Sequence, residues 1–79
     1  MGEKKYLVAD VTEKLNIPLY MLKYYEDALS ISIPRNERGM RYYRRQEIEL
    51  FRSVINLQKK GFELGAIKLV LDDIHRIEK

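Results

Sequence analysis

Apolar side chains recur at intervals of three and four residues in four stretches of the chain, the spacing of amphipathic helices. Val8, Val11 and Leu15 share one face of a first helix predicted over 8–15. Asn16-Ile17-Pro18 breaks the pattern: Asn tolerates the left-handed conformation after a helix, and Pro fits the first turn of the next. Leu19, Leu22, Tyr25 and Leu29 line the inner face of a second helix over 18–29, which sends Tyr20, Lys23, Tyr24 and Asp27 to the other side. Ile48, Phe51, Val54, Ile55 and Gln58, flanked by Leu50 and Leu57, trace a third over 44–60. Lys59-Lys60 complement its dipole and Gly61 ends it. A fourth, over 63–79, carries Ile67, Val70, Leu71, Ile74 and Ile77. Its stripe does not fade before the chain stops. Isolated helices of this length are marginal, so the face is expected to pack on the domain or on another chain.

Residues 30–43 follow a different rule. Ser30-Ile31-Ser32-Ile33 alternates as an extended strand does, Pro34 interrupts it, and Arg35-Asn36-Glu37-Arg38-Gly39 reads as a turn. Met40-Arg41-Tyr42-Tyr43 is predicted to return as a short strand, so the segment forms a small β-hairpin with arginines at its tip and flanks. The fold class expected is mainly α, with four helices and one hairpin in a single domain over 1–79.

Size and composition narrow the chemistry. A chain of 79 residues hides about 60–65% of its unfolded surface and has no room for a doubly wound or barrel enzyme. There is no cysteine and only one histidine, His75, which rules out disulfides and multi-thiolate or multi-histidine metal sites. Neither a cofactor nor a metal is expected. No apolar run approaches the ~20 residues of a membrane helix, and the opening Met1-Gly2-Glu3-Lys4-Lys5 is too charged for a secretory signal. The compartment expected is a reducing cytoplasm. Catalysis also fails on inventory. Glu47 and Glu49 point to different faces of a helix, Asp72-Asp73 is a solvated face, and Gly61 and Gly65 are too sparse for a phosphate loop.

Charge changes the picture. Residues 1–32 sum to −1 and residues 47–79 to zero, while residues 33–46 hold Arg35, Arg38, Arg41, Arg44 and Arg45 against Glu37 alone. The whole net charge of +3 therefore lies in one window. A focused arginine cluster fits either a solvated basic loop or a polyanion partner. Two short helices joined by a tight turn make a helix-turn-helix pattern, whose second helix enters the major groove in proteins that read DNA. Followed directly by an arginine-tipped hairpin, the pattern becomes a winged helix-turn-helix over about 8–43, with supporting helices over about 44–60 and 63–79.

Four blocks in order carry a family resemblance: Tyr6-Leu7-Val8-Ala9-Asp10-Val11, Lys23-Tyr24-Tyr25-Glu26, Arg35-Asn36-Glu37-Arg38-Gly39-Met40-Arg41-Tyr42-Tyr43, and Gly61-Phe62-Glu63-Leu64-Gly65-Ala66-Ile67. Over residues 6–71 the chain resembles the amino-terminal DNA-binding domain of bacterial MerR-family transcription regulators, in a Gram-positive-type branch. The resemblance implies sequence-specific binding of double-stranded DNA on the bacterial nucleoid. It puts Lys23 and Tyr24 on the DNA face, Arg41 on phosphate and Met40 near the wing tip, with Tyr25 and Tyr43 in packing roles. Tyr20, Arg35, Arg38, Arg44 and Arg45 complete the candidate DNA surface from the residues' own pattern. Lys23 stands where the family carries arginine and lacks the fork that grips guanine at two points. Arg44 replaces the usual small N-cap, so the third helix is expected to start without a strong side-chain cap.

Family members that sense effectors continue into a long dimerisation helix and an effector domain. This chain is accordingly expected to be an excised domain or a stand-alone binder, with no small-molecule effector site. Self-association is expected to be weak or absent, and any homodimer to form through the fourth helix or a missing downstream helix. Two other functions fit the same residues. One is an architectural, excisionase-like or DNA-segregation protein; the other is a protein–protein module working through its C-terminal helix.

Overall fold

The computed structural model describes the backbone of residues 4–78 and the side chains of residues 4–74. His75 and Ile77 lie outside the described side chains. Among the described residues four helices follow one another: α1 (Val8–Leu15), α2 (Leu19–Leu29), α3 (Arg45–Lys59) and α4 (Leu64–Glu78). Each boundary has a local cause. The Asp10 carboxylate accepts the Leu7 N–H at 3.1 Å, which satisfies a donor at the start of α1. Asn16 closes that helix in the left-handed conformation (φ 55°), and Pro18 stands at the N-cap of α2. Ser30 ends α2, also left-handed at φ 55°.

As expected, no side chain caps α3 from the N-cap position itself. Arg44 is its N-cap, and the Glu47 carboxylate accepts the Arg44 backbone N–H at 2.7 Å. The helix is therefore capped from its own third residue, the returning half of a capping box. Gly61 (φ 101°) turns the chain out of α3.

α1 packs on α2 and α3, and α4 packs on α2 and α3. Where they meet lies a core of Val11, Leu22, Tyr25, Leu29, Tyr43, Ile48, Phe51, Val54 and Ile67. Fully burying each aliphatic side chain among these contributes about 1.5–3 kcal/mol. Tyr43 meets Phe51 edge-on at 6.2 Å between ring centroids, so the segment after the helix-turn-helix is nailed into the core by an aromatic pair.

Leu19, expected on the inner face of α2, is 46% exposed. It sits in the first turn, beyond the core layer that begins at Leu22, and Met21 packs against the core instead. Val70 and Ile74 belong to the stripe expected to pack on the domain or on another chain; they are exposed in this chain, while Ile67 of the same stripe is buried. They border a recess of about 500 Å³ between α3 and α4, together with Leu50, Leu57 and Phe62.

The hairpin expected over 30–43 does not form a ladder. Among the described residues the β-pairing is two isolated antiparallel bridges, Tyr6 with Tyr43 and Arg35 with Arg41. Ser30 in the left-handed region breaks the alternation at its first residue. Pro34 supplies a carbonyl, accepting the Tyr42 N–H at 3.1 Å, but has no N–H to give back. The segment still doubles back, a wing-like loop rather than a hairpin.

Candidate nucleic-acid interface

The outer face of α2 is held rigid from behind. Leu22 is fully buried, and the buried Tyr25 donates its O–H to Gln58 Oε1 of α3 at 2.6 Å. Burial, with the neighbouring Tyr24 as a second cause, raises the Tyr25 pKa above the usual tyrosine value. On the opposite side Tyr20 is 71% and Tyr24 52% exposed, with Lys23 exposed between them. Two flat phenols and one ammonium thus stand on a helix whose orientation is fixed by the core. Leu19 joins this exposed face.

The wing tip is shaped by one side chain. Asn36 Oδ1 accepts the backbone N–H groups of Arg38 at 2.9 Å and Met40 at 3.0 Å. The Gly39 N–H reaches the Asn36 carbonyl at 2.9 Å, and Gly39 takes φ 78°, a conformation that a Cβ would oppose. Arg35 Nη1 donates to the Gly39 carbonyl at 2.8 Å. One of its five N–H groups is used there, and the exposed guanidinium has the others to offer. Arg38 and Met40 are exposed at the same tip. Lys5 shares a shallow recess with Arg35, Arg38 and Met40, its ammonium 4.8 Å from the centroid of the Tyr42 ring. Sequence reasoning did not place Lys5 here. The Tyr6–Tyr43 bridge, with backbone bonds of 2.8 Å in both directions, carries the amino-terminal segment to the wing.

The remaining arginines divide. The Arg41 side chain is 20% exposed and forms an ion pair with Glu26 of α2. Arg44 Nη2 and Nε bond the Glu47 carboxylate at 2.6 and 2.9 Å. Burial pushes the Glu47 carboxyl up, but the Arg44 hydrogen bonds and charge, with a bond from Gln46, outweigh it and leave the pKa below its ordinary value. Arg45 is exposed and lines a separate recess with Lys14, Arg52 and Tyr6. The cluster that looked continuous in sequence is therefore three groups: tip residues, arginines held by carboxylates, and a basic flank on α1 and α3.

Residues 6–74 match the sequence profile of the MerR HTH family regulatory protein. The chain belongs to the MerR family. Among solved structures it is similar to HiNmlR, a MerR family regulator lacking the sensor domain and bound to promoter DNA. The TM-score is 0.80 at 25% identity, over 90% of this chain and 55% of that one. This chain thus spans about half the length of HiNmlR. A MerR family transcriptional regulator from Bacillus thuringiensis shares the fold, with TM-score 0.75 at 20% identity, over 95% of this chain and 74% of that one. No curated protein sequence matches the chain. The MerR assignment supports DNA-binding transcription regulation as the general function, and these structural relatives are regulators rather than enzymes. Among the described residues no group of three or more His, Cys, Asp or Glu side chains could hold a metal ion, and no helix is long and apolar enough to cross a membrane.

Proposed function

We propose that this MerR-family chain binds double-stranded DNA sequence-specifically as the DNA-reading domain of a bacterial transcriptional regulator, acting on the nucleoid in the cytoplasm. The observation that carries this reading is the pairing of two surfaces. Tyr20, Lys23 and Tyr24 stand outward on a helix braced by the core, and the next segment displays Arg35, Arg38 and Met40 at a shaped tip. The first turns of α2 enter the major groove, where Lys23 donates to base acceptors and the tyrosine rings offer apolar contact. Arg35 and Arg38, helped by Lys5, rest on phosphate or the minor groove, and Arg45 reaches flanking phosphate. Arg44, a third exposed and tied to Glu47, adds positive field, and Arg41 backs the wing. HiNmlR, of similar fold, is bound to promoter DNA, which supports the same partner here. A homodimer, formed over α4 or by a downstream helix, would join two half-sites and raise affinity through effective concentration.

Selection from random duplexes, followed by titration of the recovered site across salt, tests the proposal. If Lys5, Arg35, Arg38 and Arg45 neutralise phosphates, log K against log salt falls with a slope of about −3.6. Binding that ignores salt refutes the DNA interface. Salt-dependent binding with no recovered motif replaces the regulator with an architectural protein.

A further inference from the structure

A buried carboxylate on a DNA-facing helix calls for an explanation. Glu26 lies three residues after Lys23 on the inward side of α2 and is 8% exposed. Both its oxygens are engaged by the wing. Tyr43 donates its O–H to Oε2 at 2.6 Å, and the Arg41 guanidinium forms an ion pair with Oε1. Arg41 and Tyr43 stand two residues apart on the returning limb of the wing. That limb has no continuous ladder, only the two isolated bridges. One carboxylate therefore ties the reading helix to the wing, and the guanidinium it holds is withdrawn from the outer surface.

Resting on the DNA-binding reading above, we propose that Glu26 is a positioning residue for DNA recognition: it sequesters Arg41 from phosphate and, with Tyr43, fixes the angle and reach between α2 and the wing. A wing anchored in this way meets phosphate only where the duplex geometry suits the helix already in the groove. A wing released from Glu26 gains a mobile cation that grips any duplex, so binding strengthens without discrimination. The distinction is physical. A purely fold-supporting ion pair changes stability when broken and leaves the number of phosphate contacts alone. A sequestering one adds a phosphate contact.

The test compares the parent chain with Glu26→Gln and with Glu26→Gln/Arg41→Gln on a short random-sequence duplex and on a selected site, each variant first shown to be folded by circular dichroism. The amide oxygen of Gln can still accept the Tyr43 O–H, but it has no charge to hold a guanidinium. The expected result is a steeper salt dependence for Glu26→Gln by about 0.9 in slope, an extra ~3- to 4-fold loss over a fourfold rise in salt. The double variant should return to the parent slope. The preference for the selected site over random duplex should fall in both variants. Equal slopes for parent and folded Glu26→Gln overturn the inference while leaving the DNA-binding reading intact; a parent that binds no duplex overturns both. A second measurement stands if the variants do not fold. In the parent, the Arg41 guanidinium N–H resonances should keep their positions as duplex is added, and their displacement into a phosphate-bound signature overturns the inference.

Discussion

Replacing Tyr43 by Phe removes one oxygen from a ring that is otherwise untouched. The ring is fully buried and packs edge-on against Phe51, so Phe preserves the apolar burial and the aromatic pair. What disappears is the 2.6 Å bond to Glu26 Oε2. The acceptor belongs to a carboxylate, and hydrogen bonds to charged groups are worth about 1.5–3 kcal/mol net. Arg41 still faces Glu26, so the carboxylate keeps its counter-charge and the penalty stays near the middle of that range, about 2 kcal/mol. Unfolding entropy of about 2.1 cal/mol/K per residue over 79 residues comes to ~0.17 kcal/mol/K. The expected fall in Tm is therefore about 12 °C. Thermal unfolding followed by far-ultraviolet circular dichroism measures it, with Tyr42→Phe, on the half-buried neighbouring phenol, as the control within about 0.5 kcal/mol. If the two variants unfold together, Glu26 does not draw stability from the wing and the bond has no energetic role.

Other perturbations test separate parts of the structure. Because the folded Glu47 carboxyl is held below its ordinary value, the unfolded chain binds more protons than the folded one across the acid window. The Glu47 contribution is present above the unfolded pKa and is lost as pH falls toward the folded one. Urea midpoints across that window should accordingly rise less steeply with pH for Glu47→Gln than for the parent. Tyr25 has the opposite sense. Its raised pKa means that its contribution is full below the ordinary tyrosine value and is lost as pH rises through the folded value. In an alkaline absorbance titration, Tyr25→Phe should remove a late-titrating phenol and cost about 1 kcal/mol through the lost Gln58 bond. Gly39→Ala meets no atom within 4 Å but must hold φ 78°. It should cost about 1 kcal/mol on purely conformational grounds, measured by thermal unfolding, where exposed Arg38→Ala should stay within about 0.5 kcal/mol.

Local patterns were legible wherever burial follows the helical period. Val11, Leu22, Leu29, Phe51 and Ile67 stand inside because three- and four-residue spacing places them there. Asn16 takes the left-handed φ expected of it after α1. The misreadings share a cause, namely that partners distant in sequence decide them. Leu19 has the right period but lies past the end of the core, which only the packing of four helices defines. Val70 and Ile74 are no misreading: the α4 stripe was expected to pack on the domain or on another chain, and α3 is too narrow to cover all of it. The serine–isoleucine alternation at 30–33 suggests a strand, yet Ser30 terminates α2 in a conformation that propensity gives to Gly or Asn. Arg41 and Arg44 looked equivalent to Arg38 because charge counting is blind to the carboxylates that meet them. Glu47 is three residues from Arg44 and was within reach of a capping argument; Glu26 is one element away from Arg41 and was not. Tyr20, Lys23 and Tyr24 emerged correctly as an outward face because the same arithmetic that buries Leu22 and Tyr25 exposes them.

The tip of the wing separates form from content. Its curvature is set by Asn36, which accepts two backbone N–H groups, and by Gly39, which supplies the left-handed step. Neither requires any particular side chain at 37, 38 or 40. Those three positions can exchange charge, length and polarity while the loop keeps its path, so a lineage could revise what the wing touches in single steps without passing through a misfolded intermediate. Asn36 and Gly39 carry the opposite burden, since a change at either alters the display of all three at once. Variation among descendants of this chain should concentrate at 37, 38 and 40 and spare 36 and 39, a pattern of inheritance written by two hydrogen bonds and one dihedral angle.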